Sequence, residues 1–254
     1  MEPELVARYV PTFELDAAGN PIGYPVIGNT EPLRPSGNLY GTYCRLEPLT
    51  ADQHASDLFE AFARRSDPSH NDPSDNDLWT YMPHGPFESE AEFRDWVLTR
   101  EGVTDPLFYA IIDVSTEKAT GVASYLRIDP SARSIEVGWI TFSPALKRTR
   151  VATDAMFVMM RNAFDLGYRR YEWKCNALNQ VSRNAALRLG MTYEGTFRQA
   201  TVVKGRNRDT AWFSILDSEW PAMRHNFENW LSESNFDPRG QQVTRLRPLG
   251  SNPQ

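Results

Sequence analysis

The sequence predicts an α+β fold: a mixed, mainly antiparallel twisted sheet with helices on both faces. Apolar stretches rich in β-branched residues are separated by short polar turns over much of the chain, which is typical of neighbouring strands. Segments with apolar residues at helical spacing lie between some of these strands. The unit from Ser134 to Ala177 reads as strand, helix, strand, and it allows the crossover that a parallel pair needs.

The first part of the chain divides into an arm, a strand and a helix. Residues 1–40 are rich in Pro, Gly and Asn and show no sustained period, so we expect an extended N-terminal arm. Residues 41–50 alternate as a first strand should, and Thr50 or Asp52 can cap the helix that follows. Residues 66–77 are acidic and interrupted by prolines, as expected of a loop.

The stretch LWTYMPHGPF, residues 78–87, holds its aromatic residues between prolines and a glycine, where no regular element can continue. Aromatic side chains fixed in a loop indicate the wall of a substrate pocket, which makes Trp79 and Tyr81 candidate substrate-binding residues. The alternative is a hydrophobic plug that closes the end of the sheet. Residues 88–102 then predict an amphipathic helix whose apolar stripe packs on the core.

Three antiparallel strands are expected next. Pro106 to Val114 and Gly121 to Asp129 are apolar runs separated by the polar sequence STEKAT, which predicts a β-hairpin. Ser134 to Phe142 follows after a short turn as the third strand.

Glu136 in this third strand is the candidate general base. Alternation predicts Ile135, Val137 and Trp139 on one face of the strand and Glu136 on the other. A carboxylate in mid-strand near a covered sheet face should have its pKa raised by desolvation, as a base that works near neutral pH requires. The alternative is a solvated strand residue or an ion-pair partner.

Lys147, Arg148 and Arg150 fall together just after this strand and before a helical pattern. The free N–H groups of a first helical turn, the positive end of the helix dipole and three cations together make an anion site. Phosphate is the expected ligand.

A second strand, Arg169 to Ala177, leads into a helix that begins with N-x-x-S at Asn179 and Ser182 and can close at Gly190. The ordered set of strand, basic turn, helix beginning ATDA, strand, N-x-x-S, L-G-M and E-G resembles the acetyl-CoA-binding half of the GNAT N-acetyltransferases. Within them it is most similar to the RimJ/RimL type. The resemblance spans roughly residues 41–220.

The resemblance implies an acetyl-CoA-dependent N-acetyltransferase. It implies direct transfer to a primary amine, on a small molecule or a protein N-terminus, within a ternary complex. It also implies two strands that splay apart to admit the pantetheine arm. Two departures from the family pattern keep open a catalytically weak acyl-CoA-binding or interaction module: Arg150 replaces the inner glycine of the pyrophosphate loop, and Ala186 replaces a tyrosine acid.

The resemblance also implies site residues. Glu136 matches the family's base, and Ser182 matches a serine thought to assist the leaving thiolate, although Asn179 and Ser182 are equally suited to cap a helix. Asp209 either holds the substrate's ammonium or pairs with a nearby arginine. The residues matched to acetyl-CoA binding are Lys147, Arg148, Thr149, Arg150, Val151, Ala152, Thr153, Asn179 and Ser182.

The rest of the chain adds two strands joined at residues 204–208, a last helix near residues 220–231, and a polar tail. We therefore expect the domain to span residues 41–231, with residues 232–254 disordered or on the surface. Cys44 and Cys175 lie in expected strands and should be buried thiols.

Composition excludes some classes of function. The net charge of −6 argues against nucleic-acid binding. No apolar run suits a membrane span and no secretory signal is recognisable, which favours the cytoplasm. The four histidines show no metal-ligand spacing. The sequence specifies neither the acceptor amine nor the oligomeric state.

Overall fold

The computed structural model describes residues 12–26, 31–63 and 78–246. The expected loop at residues 66–77 and the beginning of the arm lie outside the described residues. The strands are β1 Glu14–Leu15, β2 Pro21–Ile22, β3 Leu39–Tyr40, β4 Cys44–Pro48, β5 Leu107–Asp113, β6 Lys118–Asp129, β7 Ser134–Phe142, β8 Arg170–Asn176, β9 Thr192–Val203 and β10 Arg206–Leu216. The helices are α1 Ala51–Ala63, α2 Glu90–Leu98, α3 Arg150–Asp165, α4 Gln180–Arg188 and α5 Trp220–Leu231, followed by a 3₁₀ turn at Glu233–Asn235.

The predicted fold class is confirmed. The main sheet has eight strands in the order β3-β4-β5-β6-β7-β8-β10-β9. Its pairs are antiparallel except for β7 and β8, which run parallel and are connected by α3. The β5–β6 hairpin and the strand after it take their expected places.

Helices cover the sheet on both faces. On one face, which we call the α3 face, α3, α4 and α5 bury a large apolar cluster that includes Val137, Trp173 and Phe213. On the other, the α1 face, α1 and α2 pack over β5 and β6 around Phe93 and Phe108. Side chains that alternate along β7, β8 and β10 therefore divide between these two faces.

The expected face of Trp139 is wrong. A register shift between β6 and β7 places one extra residue in β7, between Gly138 and Thr141. Trp139 takes a left-handed backbone conformation there, with φ of 52°. The bulge reverses the alternation, so Ile135 and Val137 pack in the α3-face cluster while Trp139 packs against the α1-face cluster.

The parallel ladder between β7 and β8 is short. It pairs Ser134 with Arg170 and ends at Val137 opposite Trp173. Beyond those residues no pairing joins the two strands, although both continue. The gap between Gly138–Phe142 and Lys174–Asn176, which we call the opening, is the splay that the resemblance implied.

Both ends of the chain differ from expectation in their details. Leu39 and Tyr40, assigned to the arm, form an edge strand of the main sheet. The tail does not leave the domain at Ser232: Phe236 packs against Tyr43 and Trp230, and Leu246 is buried. Within the described residues, no helix combines the length and apolar character that a bilayer crossing needs.

Candidate active site

The start of α3 has backbone features that suit the expected anion site. Thr149 is the N-cap, and its hydroxyl accepts the N–H of Ala152 at 3.1 Å. The N–H groups of Arg150 and Val151 find no acceptor among the described residues. Such unpaired donors, at the positive end of a helix of 16 residues, suit a phosphate.

Arg150 uses its side chain elsewhere. Its guanidinium lies 4.3 Å from the ring centroid of Tyr43 and 5.4 Å from that of Phe236. The residue is the first of α3, so no left-handed backbone is needed at the position where the family has its inner glycine. The residue of this turn with a positive φ, 63°, is Arg148.

The start of α4 lies beside the opening. Asn179 is its N-cap and accepts the N–H of Ser182 at 3.0 Å. The hydroxyl oxygen of Ser182 accepts the indole N–H of Trp173, the last residue of β8 that pairs with β7, at 3.0 Å. Asn179 therefore caps α4, and both residues lie beside the opening. Ala186 is fully buried in the core.

Glu136 is buried on the α1 face, with a side chain 7% exposed. Its Oε2 lies 2.6 Å from Nζ of Lys174 and 3.4 Å from Nε of Arg127. Its Oε1 makes no hydrogen bond with any described residue, and a Cβ added to Gly138 would stand 3.6 Å from it. Because Gly138 is the first residue of β7 past the ladder, Oε1 faces the opening.

Burial raises the pKa of Glu136 above its ordinary value, and the Lys174 ammonium opposes that rise. Burial also lowers the pKa of Lys174, against the effect of Glu136. We take the pair as ionised, since Nζ lies within hydrogen-bonding distance of the carboxylate and also stands 3.5 Å from the Trp212 ring centroid.

Lys174, Arg127 and Trp212 were not among the predicted site residues. The three side chains meet over Glu136, and Arg127 also lies 5.0 Å from the Trp212 ring centroid. A signal for Lys174 was present: along β8, charged residues at positions 170, 172 and 174 alternate with apolar ones. That pattern indicates a charged strand face beside Glu136.

The two candidate aromatics of the segment Leu78–Phe87 have different surroundings. Trp79 packs edge to face against Phe62 and Phe87, as a plug would. Tyr81 donates its hydroxyl to the carbonyl of Leu178, at 3.2 Å, next to the start of α4. Lys204, at the tip of the β9–β10 hairpin, donates to the carbonyls of Trp79 and Gly85, at 3.0 and 2.7 Å.

Asp209 stabilises the β9–β10 hairpin. Its Oδ1 accepts the backbone N–H of Gln199 at 2.7 Å and the side-chain amide of Asn207 at 3.0 Å. These hydrogen bonds lower the pKa of Asp209. No ion pair joins it to Arg206 or Arg208.

Both cysteines are free and buried, as expected. Burial raises the pKa of the Cys44 and Cys175 thiols, so neither is an activated nucleophile. In the part of the chain that the structure describes, no three His, Cys, Asp or Glu side chains are grouped to hold a metal ion.

Residues 44–192 match the family model described as acetyltransferase (GNAT) domain. The chain belongs to the GNAT acetyltransferase family. Its membership favours an enzyme over a binding module on the same fold.

Solved structures agree with the family assignment. A GCN5-related N-acetyltransferase from Brucella melitensis is 44% identical, with a TM-score of 0.80, over 86% of this chain and 96% of that chain. A probable GNAT-family acetyltransferase from Chromobacterium violaceum is 39% identical, with a TM-score of 0.70, over 80% and 98%. The microcin C7 self-immunity acetyltransferase MccE, solved with acetyl-CoA and AMP, shares the fold at 20% identity, with a TM-score of 0.57, over 69% and 93%. Comparison with curated proteins found no match.

GNAT acetyltransferases use acetyl-CoA, and the described residues fit it. The unpaired N–H groups at the start of α3 suit its pyrophosphate, and the unpaired edges of the opening suit the amides of its pantetheine arm. When bound, acetyl-CoA supplies an activated thioester carbonyl.

Proposed function

We propose that this GNAT acetyltransferase passes the acetyl group of acetyl-CoA directly to a primary amine, on a small molecule or a protein N-terminus, in a ternary complex. The observation that carries the proposal is the position of Glu136 behind the opening, with Oε1 facing the gap between β7 and β8. The turn from Lys147 to Thr153 would bind acetyl-CoA, together with Asn179 and Ser182.

The two substrates would approach from opposite faces of the sheet. Helices α3 and α4 start on the α3 face, where their N-termini would bind acetyl-CoA. Glu136 and Lys174 lie on the α1 face, where the amine would arrive. The reacting atoms would meet in the opening, so no covalent acetyl-enzyme is needed. The raised pKa of Cys175, the thiol in β8, also argues against one.

Glu136 would act as the general base. An amine is protonated near neutral pH and must lose a proton before it attacks the thioester carbonyl. Oε1 would accept that proton, directly or through one water molecule. The raised pKa of Glu136 brings the carboxylate closer to the pKa range in which a base is effective.

Ser182 would assist the leaving thiolate. Its oxygen accepts the Trp173 indole N–H, and its hydroxyl proton, which also reaches the Cys175 thiol, can turn to the thiolate. A hydroxyl beside the opening can therefore donate a hydrogen bond to the sulfur as the C–S bond breaks.

The acceptor would enter beside the segment Leu78–Phe87. Tyr81 is the better placed of the two aromatics, because its hydroxyl already reaches the start of α4. Trp79 would support the wall from within its aromatic cluster. Asp209 would shape the hairpin side of the entrance, since its bonds to Gln199 and Asn207 occupy Oδ1. The resemblance to the RimJ/RimL type supports acceptors that include protein N-termini.

The test is a steady-state assay of thiol release from acetyl-CoA with a panel of primary amines, run for the wild type and for Glu136→Gln. We expect amine-dependent release by the wild type. In Glu136→Gln, turnover should fall by about 10²–10⁴ and the acidic limb of the pH profile should disappear.

Calorimetry with acetyl-CoA is the control, because the amide keeps the size of the carboxylate and lies across the sheet from the cofactor site. Affinity should be unchanged. A variant with near-normal turnover and the same acidic limb would show that Glu136 is a structural ion-pair partner only.

A further inference from the structure

Lys174 lies where β8 leaves β7, and its amino group is inside the site. Trp173 is the last paired residue of the parallel ladder, so Lys174 is the first residue of β8 beyond it. Its side chain is 7% exposed, and its Nζ lies between Glu136 and the ring of Trp212. A lysine in such a position is not a solvent-exposed surface charge.

The two oxygens of Glu136 have different surroundings. Oε2 is held by Lys174 and, at a longer distance, by Arg127. Oε1 has no such partner among the described residues and faces Gly138. Rotation of the carboxylate would break an ion pair whose two members are both buried, and breaking such a pair is costly. The ion pair therefore decides which oxygen faces the opening.

We propose that Lys174 is a positioning residue for acetyl transfer: it holds Oε2 of Glu136 so that Oε1 is presented to the acceptor, and it keeps the carboxylate ionised until the amine arrives. The proposal rests on the function proposed above. In the step it serves, one ammonium proton of the acceptor moves to Oε1. The nitrogen lone pair forms the N–C bond, the C–S bond breaks with its electron pair on sulfur, and a second nitrogen proton passes to that thiolate, which leaves as the free thiol.

Other charged groups around Glu136 cannot replace Lys174. Arg127, from β6, is 56% exposed, so water screens its charge. Glu172, from β8, carries a like charge and is itself held by Arg170 at 2.7 Å. From β10 the neighbour is Trp212, which is uncharged. Without Lys174, the carboxylate would therefore remain buried beside one screened cation and one anion.

The experiment compares the pH dependence of kcat/KM in wild type, Lys174→Met and Lys174→Arg. Loss of the cation raises the pKa of the base, and a base works when deprotonated, so the acidic limb should move to higher pH. We expect a move of at least about one pH unit in Lys174→Met, which lowers kcat/KM about fivefold at the original midpoint, about tenfold well below it, and allows recovery at alkaline pH. Lys174→Arg should keep the limb near its original position.

Arg127→Met is the matched control, because it removes a cation from the same oxygen at a more exposed position. Its limb should move less than that of Lys174→Met. Acetyl-CoA affinity by calorimetry should match the wild type in all three variants, which also reports that they fold. If Lys174→Met is unfolded, Lys174→Gln takes its place in the comparison.

An unmoved acidic limb in Lys174→Met or Lys174→Gln, while Glu136→Gln abolishes that limb, would overturn this inference and leave Glu136 as the base. A limb that persists in Glu136→Gln would instead overturn the part of the proposed function that makes Glu136 the base. The two failures are therefore distinguishable.

Discussion

Arg148 and Arg150 stand on either side of Thr149, the N-cap of α3, and the anion site depends on the potential that they create. Each substitution reverses a charge beside the helix N-terminus, where one unit of charge is worth up to about 2 kcal/mol. Arg148→Glu or Arg150→Glu should therefore weaken acetyl-CoA binding at least about tenfold, as measured by calorimetry.

The control for these variants is Arg94→Glu, which changes the net charge equally but lies on α2, on the α1 face. Its acetyl-CoA affinity should stay within about twofold of the wild type. Unchanged affinity in both Arg148→Glu and Arg150→Glu would remove phosphate binding from this turn.

At the level of single residues, the sequence supported some inferences and not others. Alternation correctly separates Glu136 from Ile135 and Val137, because the strand is regular up to that point. It fails at Trp139, because a bulge depends on the pairing with β6 and on ring stacking from distant segments. The ion pair of Glu136 with Lys174 joins residues 38 positions apart, and a single sequence carries no direct record of such a contact.

Among the elements, the segment Leu78–Phe87 depends most on its neighbours. His84 stacks between Trp96 and Trp139, with ring centroids at 4.5 and 5.1 Å. Its Nδ1 is buried and has no hydrogen-bond partner among the described residues. Burial, with help from the charges of Arg100 and Lys204, lowers the pKa of His84 to about 4.

This pKa predicts acid sensitivity. Between the ordinary histidine pKa near 6.5 and the folded value of about 4, the unfolded chain binds a proton that the folded chain does not. Stability is therefore lost as the pH falls through that range, by about 1–2 kcal/mol between pH 7 and pH 5. Urea unfolding of wild type and His84→Phe at pH 7 and pH 5 measures this loss of stability. Phenylalanine keeps a ring in the stack and cannot titrate.

Between pH 7 and pH 5, His84→Phe should lose about 1–2 kcal/mol less stability than the wild type. An equal pH dependence in the two proteins would show that His84 is not a buried neutral group. Buried carboxylates elsewhere contribute equally to both and cancel in the comparison.

Element positions could be predicted well where the signals are local. Asn179, expected as a possible cap, does cap α4, and α2 and α3 begin in the same way at Ser89 and Thr149, with side chains that bond inside their own first turn. The start of the long strand β9, at Thr192, could not be located from the sequence. Its exposed side chains gave no alternating pattern by which to locate it.

On the scale of the whole molecule, the sequence predicts the sheet and its parallel crossover better than its two ends. The tail lacks a periodic pattern, so its packing could not be read from composition. In the structure, Phe236 packs against Trp230 and Tyr43, and Asn235 bonds to the backbone of Trp230 and Thr244. Phe236 also lies under Arg150, so the tail reaches the first turn of α3.

These contacts predict that the tail stabilises the domain. Truncation after Ser232 removes the apolar side chains of Phe236 and Leu246, each worth about 1.5–3 kcal/mol when fully buried. We expect a loss of about 3–5 kcal/mol. At about 2–4 °C per kcal/mol for a chain of this size, Tm should fall by roughly 6–20 °C in calorimetry. Truncation after Leu246 is the matched control: it keeps both side chains, so its Tm should stay within about 2 °C of the wild type. Equal Tm values for the two truncated chains would show that residues 233–246 add nothing to stability, and that the sheet and its five helices hold the start of α3 without them.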